Sequence, residues 1–311
     1  MTAPLVLLDA ASLYFRYFYA LPDSMTAPDG TPVNAVRGFT DTVARILNDR
    51  KPSRLVACLD ADWRPQFRVD LLPSYKAHRV ADEAQDGAEE VPDTLSPQVP
   101  IITDLLAAMG IATAEADGYE ADDVIGTLTA RETAAPVEVV TGDRDLFQLV
   151  RTEPTPASVI YVGKGWAKAE VLGPPEIAAR YGVPEPMAGR AYAEMSMLRG
   201  DPSDGLPGVP GIGDKTAAKL ITQFGSLAGL LAASDSGDPA LPPKIRAKLL
   251  AAGDYLAVAP TVVTVAPDAP VRMSRGDAVP SAPAHPDRVA ELAERWNLGT
   301  SIVRLLSALP G

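Results

Sequence analysis

A chain of 311 residues, 47% hydrophobic and 22% charged, has the composition of one large globular domain or two smaller ones. Its single cysteine, Cys58, excludes an internal disulfide framework and reads as a small core residue of a protein in a reducing cytoplasm. A net charge of −12, taken whole, argues against a nucleic-acid partner. The sum misleads, because nine of the acids gather in the motifs described below. Without them the remainder is only mildly acidic, and local basic patches can still hold phosphate. The first ten residues have no basic leader and their apolar run is broken by Asp9, so they do not read as a signal peptide. No apolar run approaches the length of about 18 that a membrane span needs, so no membrane partner is expected.

Pro4-Leu5-Val6-Leu7-Leu8-Asp9 reads as a buried strand ending in an acid. In open α/β sheets that end is where ligands sit. Ser12 to Ala20 follows as a helix rich in aromatics (Tyr14, Phe15, Tyr17, Phe18, Tyr19) around Arg16. Such a run is ordinarily core; a stacking surface for nucleic acid is the other reading. Val36 to Asp49 is a second amphipathic helix, and Leu55 to Asp60 a second strand that again ends in Asp.

Arg64 to Arg79 carries Arg64, Arg68, Lys76 and Arg79 with Phe67 and Tyr75 between them. Cations interleaved with aromatics can bind backbone phosphate and stack bases; a solvated loop is the alternative. Residues 80 to 97 turn acidic and lose periodicity, which reads as a segment without fixed structure. Ile101 to Met109 is a helix stopped by Gly110, and a short strand at Ile111 to Ala114 follows.

Gly118 to Gly126 is the most informative stretch. Glu120, Asp122 and Asp123 fall within four positions ahead of an apolar helical pattern. Residues three apart share a helix face, so Glu120 and Asp123 project together, with Asp122 a little way round the circumference. Like charges this close repel, and a cation would relieve them. Hard oxygen ligands suit Mg²⁺ or Mn²⁺ rather than zinc. Acids that merely complement the helix dipole are the bland alternative.

Val137 to Thr141 is a third clear strand, delivering Asp143-Arg144-Asp145 and a helix over Leu146 to Val150. Asp143 and Asp145 flank a turn and could both reach a cation; turn and cap chemistry is the alternative. Val159 to Val162 and Trp166 to Ala169 can pair as a hairpin. After Gly173-Pro174-Pro175 short helices take over, at Glu176 to Tyr181, Met187 to Leu198, Lys215 to Phe224, Leu227 to Ala232 and Lys244 to Ala251. Between two of them lies Gly200 to Thr216, with Asp201 and Asp204 in front of Gly211-Ile212-Gly213 and Lys215. Glycines at a helix start let backbone N–H groups approach phosphate and grip a duplex without reading bases. Thr261 to Val265 reads as one more strand-like run, and Asp287 to Trp296 and Thr300 to Leu309 as closing helices.

These signatures together resemble the 5'-nuclease family: the N-terminal 5'→3' exonuclease domain of bacterial DNA polymerase I, phage 5' nucleases and flap endonucleases. They are Leu8-Asp9 with the Tyr-Phe-Arg helix, Leu59-Asp60, Phe67-Arg68 through Arg79, Gly118 to Thr127, Thr141 to Asp145 and Gly200 to Thr216, spread over about residues 4 to 310. With no room for a polymerase domain, the chain looks like a stand-alone member. The resemblance implies an α/β class with a mostly parallel sheet flanked by helices (a PIN/resolvase-like nuclease core) over residues 1–175, with a helical arch at about 64–100. It implies a helix–three-turn–helix DNA-binding module over 176–255 and a C-terminal segment, 256–311, packing back on the core.

Family metal ligands carried to this sequence would be Asp9, Asp60, Glu120 and Asp122 for one divalent ion. Asp143, Asp145, Asp204 and Asp201 would serve a second, with Asp122 as a bridge, Asp123 as a further candidate and a third ion left open. The ions would be Mg²⁺ or Mn²⁺, with K⁺ at the hairpin module. Lys76 and Arg79 look like arch cations that contact the scissile phosphate, and Tyr75 like a base-stacking partner. Arg16, Arg68, Gly211, Gly213 and Lys215 complete the DNA contacts, and Lys76, Arg79, Asp122 and Asp143 the catalytic set. The stretch from Val80 to Gly110 lacks Lys and Arg, so contacts to a threaded strand are expected to be weak there. The implied activity is two-metal hydrolysis of DNA phosphodiesters at 5' flaps, nicks or branched ends, with RNA–DNA hybrids a further substrate, by a nucleoid-associated cytoplasmic monomer in replication and repair. Two other readings stay open: a ribonuclease of a related four-acid fold, and a non-catalytic scaffold for branched DNA.

Overall fold

Every residue of the first strand, β1 (Leu5–Asp9), is buried, as a strand covered on both faces should be. The protein is described here by a computed structural model over residues 2–80, 89 and 91–310. Beside β1 lie β2 (Arg54–Cys58), β3 (Ala112–Glu115), β4 (Val137–Thr141), β5 (Ala157–Tyr161), β6 (Glu170–Leu172) and β7 (Arg272–Met273). They form one sheet in the order β6-β5-β4-β1-β2-β3-β7. The five central strands pair in parallel, while β6 and β7 close the two edges antiparallel. The chain leaves β1 for β2 on one side and reaches β4 on the other. This reversal opens a crevice at the C-terminal ends of the central strands.

Alternation along β1 divides the core. Leu5 and Leu7 face one layer, packed by α5 (Ala121–Arg131), α6 (Pro174–Tyr181), α7 (Ala188–Arg199) and α8 (Asp214–Phe224). Val6 and Leu8 face the other, packed by α1 (Ala10–Ala20), α2 (Asn34–Arg50), α4 (Gln98–Met109), α12 (Pro286–Arg295) and α13 (Gly299–Ala308). The short α3 (Gln66–Leu71) precedes a single 3-10 turn at Ala77–Arg79. The helices α9 (Leu227–Ser236), α10 (Pro243–Ala251) and α11 (Gly253–Val263) continue from α8. Burying residues such as Phe39, Val43, Ile46 and Leu47 of α2 contributes about 1.5–3 kcal/mol each. The helix α4 stops where Gly110 takes φ 83°, a left-handed conformation glycine adopts without strain.

Three sequence expectations change. Thr261 to Val265 is not a strand: its first half ends α11. The β-branched residues there favour a strand intrinsically, but Leu256, Ala259 and Val262 recur at helical spacing and bury that face, and packing overrides propensity. The hairpin partner expected at Trp166 to Ala169 is displaced: Trp166–Lys168 forms a 3-10 turn and β6 follows it, antiparallel to β5. The helix expected from Leu146 to Val150 is a 3-10 segment, Asp145–Leu149. Most of the acidic run at 80 to 97, namely 81–88 and 90, lies outside the described residues, and with it the crown of the expected arch.

Candidate active site

The parallel strands deliver acids to one edge. Asp9, the last residue of β1, caps α1: its Oδ1 accepts from Ser12 N (3.0 Å) and its Oδ2 from Thr141 Oγ1 (2.6 Å). Asp60, two residues beyond β2, accepts from the backbone N–H of Ala121 (2.7 Å), which ties it to the start of α5. Asp143, just past β4, accepts from Asp145 N (2.9 Å). Asp201 opens the loop after α7 and accepts from Ser203 N (2.8 Å). These four, with Glu120, Asp122 and Asp145, line one cleft of about 980 Å³. Lys76 and Arg79 stand on its wall, and Arg16 lines it while donating to the carbonyl of Gly163 (2.6 Å). Asp204 stands beside the cleft and accepts from Arg79 (2.8 Å).

The crowding shows in the carboxyls. Burial, with Asp60 and Asp143 adding repulsion against the hydrogen bonds from Thr141 and Ser12, pushes Asp9 up to about 7. Burial and repulsion from Asp9, Asp143 and Glu120 hold Asp122 well above the usual range. Burial and then Asp143, Asp204 and Asp201 do the same to Asp145. Asp60 and Asp204 are also raised, by enclosure first and by neighbouring acids after it. Such a set of hard oxygen donors resists ionising together, and a divalent cation would relieve it. The donor chemistry fits the implied metal. As the side chains stand, no three His, Cys, Asp or Glu among the described residues are drawn close enough to cage an ion. Protein cations do part of the neutralising: the Lys76 ammonium pairs with Glu120 and Arg79 with Asp204.

Three expected site residues belong elsewhere. Asp123, 0% exposed, is not on the cleft: it forms a bidentate pair with Arg68 (2.7 Å on both arms) and accepts from Ala266 N (2.8 Å). Arg68, 2% exposed, is therefore no DNA contact. It also donates to Glu120 (2.5 Å) and to the carbonyl of Val262 (3.0 Å). Glu120 and Asp123 do project together, as helical spacing required, but onto a guanidinium instead of an ion. Tyr75, 4% exposed, cannot stack on a base; its hydroxyl donates to Glu120 (2.6 Å). The alternation of cations with aromatics misled here because α3 turns that face inward.

Gly211 and Gly213, in the turn between α7 and α8, and Lys215, in the first turn of α8, are exposed and away from the cleft lining. Gly211 holds φ 73°, and its carbonyl accepts from Lys248 Nζ (2.9 Å). Sequence reading missed further lining residues: Trp63, Arg144, Tyr192, Arg199 and Glu89. Arg144 lies between the two acids of Asp-Arg-Asp and Arg199 directly before Gly200-Asp201, so proximity to the motifs could have flagged both. Nothing in the sequence marks Tyr192.

Residues 4–182 match the family described as 5'-3' exonuclease, N-terminal resolvase-like domain, and residues 187–286 the one described as 5'-3' exonuclease, C-terminal SAM fold. The chain belongs to the 5'-3' exonuclease family. It is 56% identical over 318 residues to the 5'-3' exonuclease of Mycobacterium tuberculosis, covering 100% of both chains. It is 37% identical over 273 residues to DNA polymerase I of Bacillus subtilis, covering 87% of this chain and 28% of the polymerase. The fold also matches bacteriophage T5 flap endonuclease in a pseudo-enzyme–product complex with DNA and metal ions, with a TM-score of 0.64 at 17% identity over 98% of this chain and 99% of that one.

Proposed function

We propose that the protein is a divalent-metal-dependent 5' nuclease that hydrolyses DNA phosphodiesters at 5' flaps, nicks and exposed 5' ends. The observation that carries this is the meeting of carboxylates from β1, β2, α5, β4 and the loop after α7 on one cleft, with Lys76 and Arg79 on its wall. Asp9, Asp60, Glu120 and Asp122 would hold one Mg²⁺ or Mn²⁺, and Asp143, Asp145, Asp201 and Asp204 a second, with Asp122 between them. When bound, such ions activate water and stabilise charge on the leaving 3'-oxygen. The carboxylates fix ion positions and transfer no proton. Lys76 and Arg79, already beside the acids, neutralise charge that builds on the scissile phosphate. Arg16, which also lines the cleft, would orient the phosphate. Gly211, Gly213 and Lys215 present N–H groups and a cation to the duplex backbone outside the cleft. A monovalent ion such as K⁺ at that hairpin is part of the same proposal. The products carry 5'-phosphate and 3'-hydroxyl ends.

The test is cleavage of a 5'-end-labelled double-flap DNA in Mg²⁺, in Mn²⁺ and in EDTA, with the 5' end free or blocked. Metal-dependent release of short labelled products supports the proposal. Intact substrate under both metals removes it.

A further inference from the structure

The long helix α7 places Tyr192 and Arg199 seven residues, two turns, apart, so both fall on one face. Both line the acidic cleft. The Arg199 guanidinium lies over the Tyr192 ring, 5.9 Å from its centre. Arg199 donates from Nε to the carbonyl of Gly200 (3.2 Å), from one terminal nitrogen to Asp214 Oδ1 (3.0 Å), and from the other to Ser196 Oγ (3.1 Å). Those bonds use three of the five N–H groups a guanidinium carries, and 23% of the side chain remains exposed. Asp214 is the first residue of α8, directly after Gly213. One cation thus reaches from the acid cluster around Asp201 to the start of the backbone-gripping hairpin.

The second observation is independent. Tyr192 is 1% exposed, and its hydroxyl makes no well-formed hydrogen bond among the described residues, although the Arg199 guanidinium and the Tyr181 hydroxyl stand beside it. A buried hydroxyl left unpaired costs about 1–3 kcal/mol, and phenylalanine would fill the same space without that cost. Its ring is already packed by Phe147 and Tyr181 with centroids 5.5 Å and 4.9 Å away, so the hydroxyl adds nothing to packing. Arg199 can only donate, so the proton of this hydroxyl, on a cleft wall beside a guanidinium with spare donors, points to an external acceptor.

We infer that Arg199 and Tyr192 form a phosphodiester-binding pair that joins the hairpin to the cleft and sets the register of the duplex backbone between them. The inference rests on the nuclease proposal, since it names a further contact for the same substrate. A backbone phosphate gripped at the Gly211–Gly213 turn continues toward the acids past this pair. Its oxygens accept from the spare N–H groups of Arg199 and from the Tyr192 hydroxyl.

The experiment is equilibrium binding of fluorescent nicked and flapped duplexes in Ca²⁺ over a salt series, for wild type, Tyr192→Phe, Arg199→Lys and Arg199→Gln. The charge-balanced double variant Arg199→Gln with Asp214→Asn is measured alongside them. Tyr192→Phe is expected to unfold at an equal or higher temperature, yet to bind about 10-fold more weakly. The double variant, whose net charge equals wild type, is expected to lose about one unit of the slope of log K against log salt, and Arg199→Lys to keep it. Should Arg199→Gln alone fail to fold, the double variant and Tyr192→Phe still decide. Unchanged affinity in Tyr192→Phe together with an unchanged slope in the double variant overturns the pair while wild type binds and cleaves. Absence of binding and cleavage by wild type instead refutes the nuclease proposal itself.

Discussion

Arg68 is the residue whose sequence reading and structure diverge most, so its replacement tests the fold logic directly. The side chain ties α3 to the start of α5 and the end of α11 through Asp123, Glu120 and the carbonyl of Val262. Arg68→Met removes both arms from Asp123, which is 0% exposed and keeps only backbone donors from Glu120 (3.2 Å) and Ala266 (2.8 Å). Removing one partner of a buried ion pair costs about 3–5 kcal/mol, because the other charge is stranded. That is a large part of a typical total stability of about 5–15 kcal/mol. Urea unfolding followed by far-UV circular dichroism measures it: with a slope of about 3 kcal/mol/M the midpoint falls by about 1–1.7 M. Arg68→Met with Asp123→Asn removes both charges of the pair while an amide oxygen can still accept from Ala266 N, and is expected to regain part of the loss. A single-variant loss below about 1 kcal/mol, accompanied by weaker DNA binding, would refute the reasoning and return Arg68 to a substrate-facing role.

Three further outcomes follow from the same geometry. Asp9 is held at about 7 in the folded chain against an ordinary value of 3.8, so the metal-free fold retains a proton that the unfolded chain releases. Stability in EDTA is therefore expected to fall as pH rises from about 4 to about 7 and to level off above it; Mg²⁺ should flatten that slope in a thermal-unfolding series. A slope of the opposite sign would discredit the crowding argument. Lys76→Ala is expected to slow flap cleavage at saturating substrate by about 100-fold, read in single-turnover assays. A rate near wild type strikes Lys76 from the catalytic set. Gly205 holds φ 70°, and a methyl group there would lie 1.9 Å from the carbonyl oxygen of Ser74. Gly205→Ala should break the bonds from Ser74 Oγ to Gly205 O and from Lys76 N to Asp204 O, at a cost of about 2–4 kcal/mol in chemical denaturation. A loss within about 0.5 kcal/mol would mean that the 74–79 segment is not docked on this loop.

The strands that carry the site were legible because β1 is an unbroken apolar run ending in an acid, and β4, interrupted by Glu138, is rich in valine and stops two residues before Asp143. Asp9, Asp60 and Asp143 follow from that reading, whereas Asp122 and Asp201 came from the helix-start and glycine-loop motifs. Charge partners were not legible. Nothing in Phe67-Arg68 says that α3 presents its arginine to Asp123 and not to solvent, because a six-residue helix has too little pattern to fix its buried face. Tyr75 lies in the turn between α3 and Ala77–Arg79, where no periodicity fixes the direction of a side chain. The run at Thr261 to Val265 has strand-like composition, and only the packing of Leu256, Ala259 and Val262 makes it helix. Tyr192 was invisible for a different reason: it sits at an ordinary core position of α7, and only its buried hydroxyl beside Arg199 distinguishes it.

The account stands or falls on whether the cleft holds divalent ions. Counting bound Mn²⁺ by electron paramagnetic resonance, on wild type and Asp143→Asn in the presence of uncleavable flap DNA, addresses this without relying on turnover. Two saturable ions per wild-type chain, with one lost in Asp143→Asn while flap binding persists, is the expected result. The same count in both proteins, or no saturable ion in wild type, would contradict it.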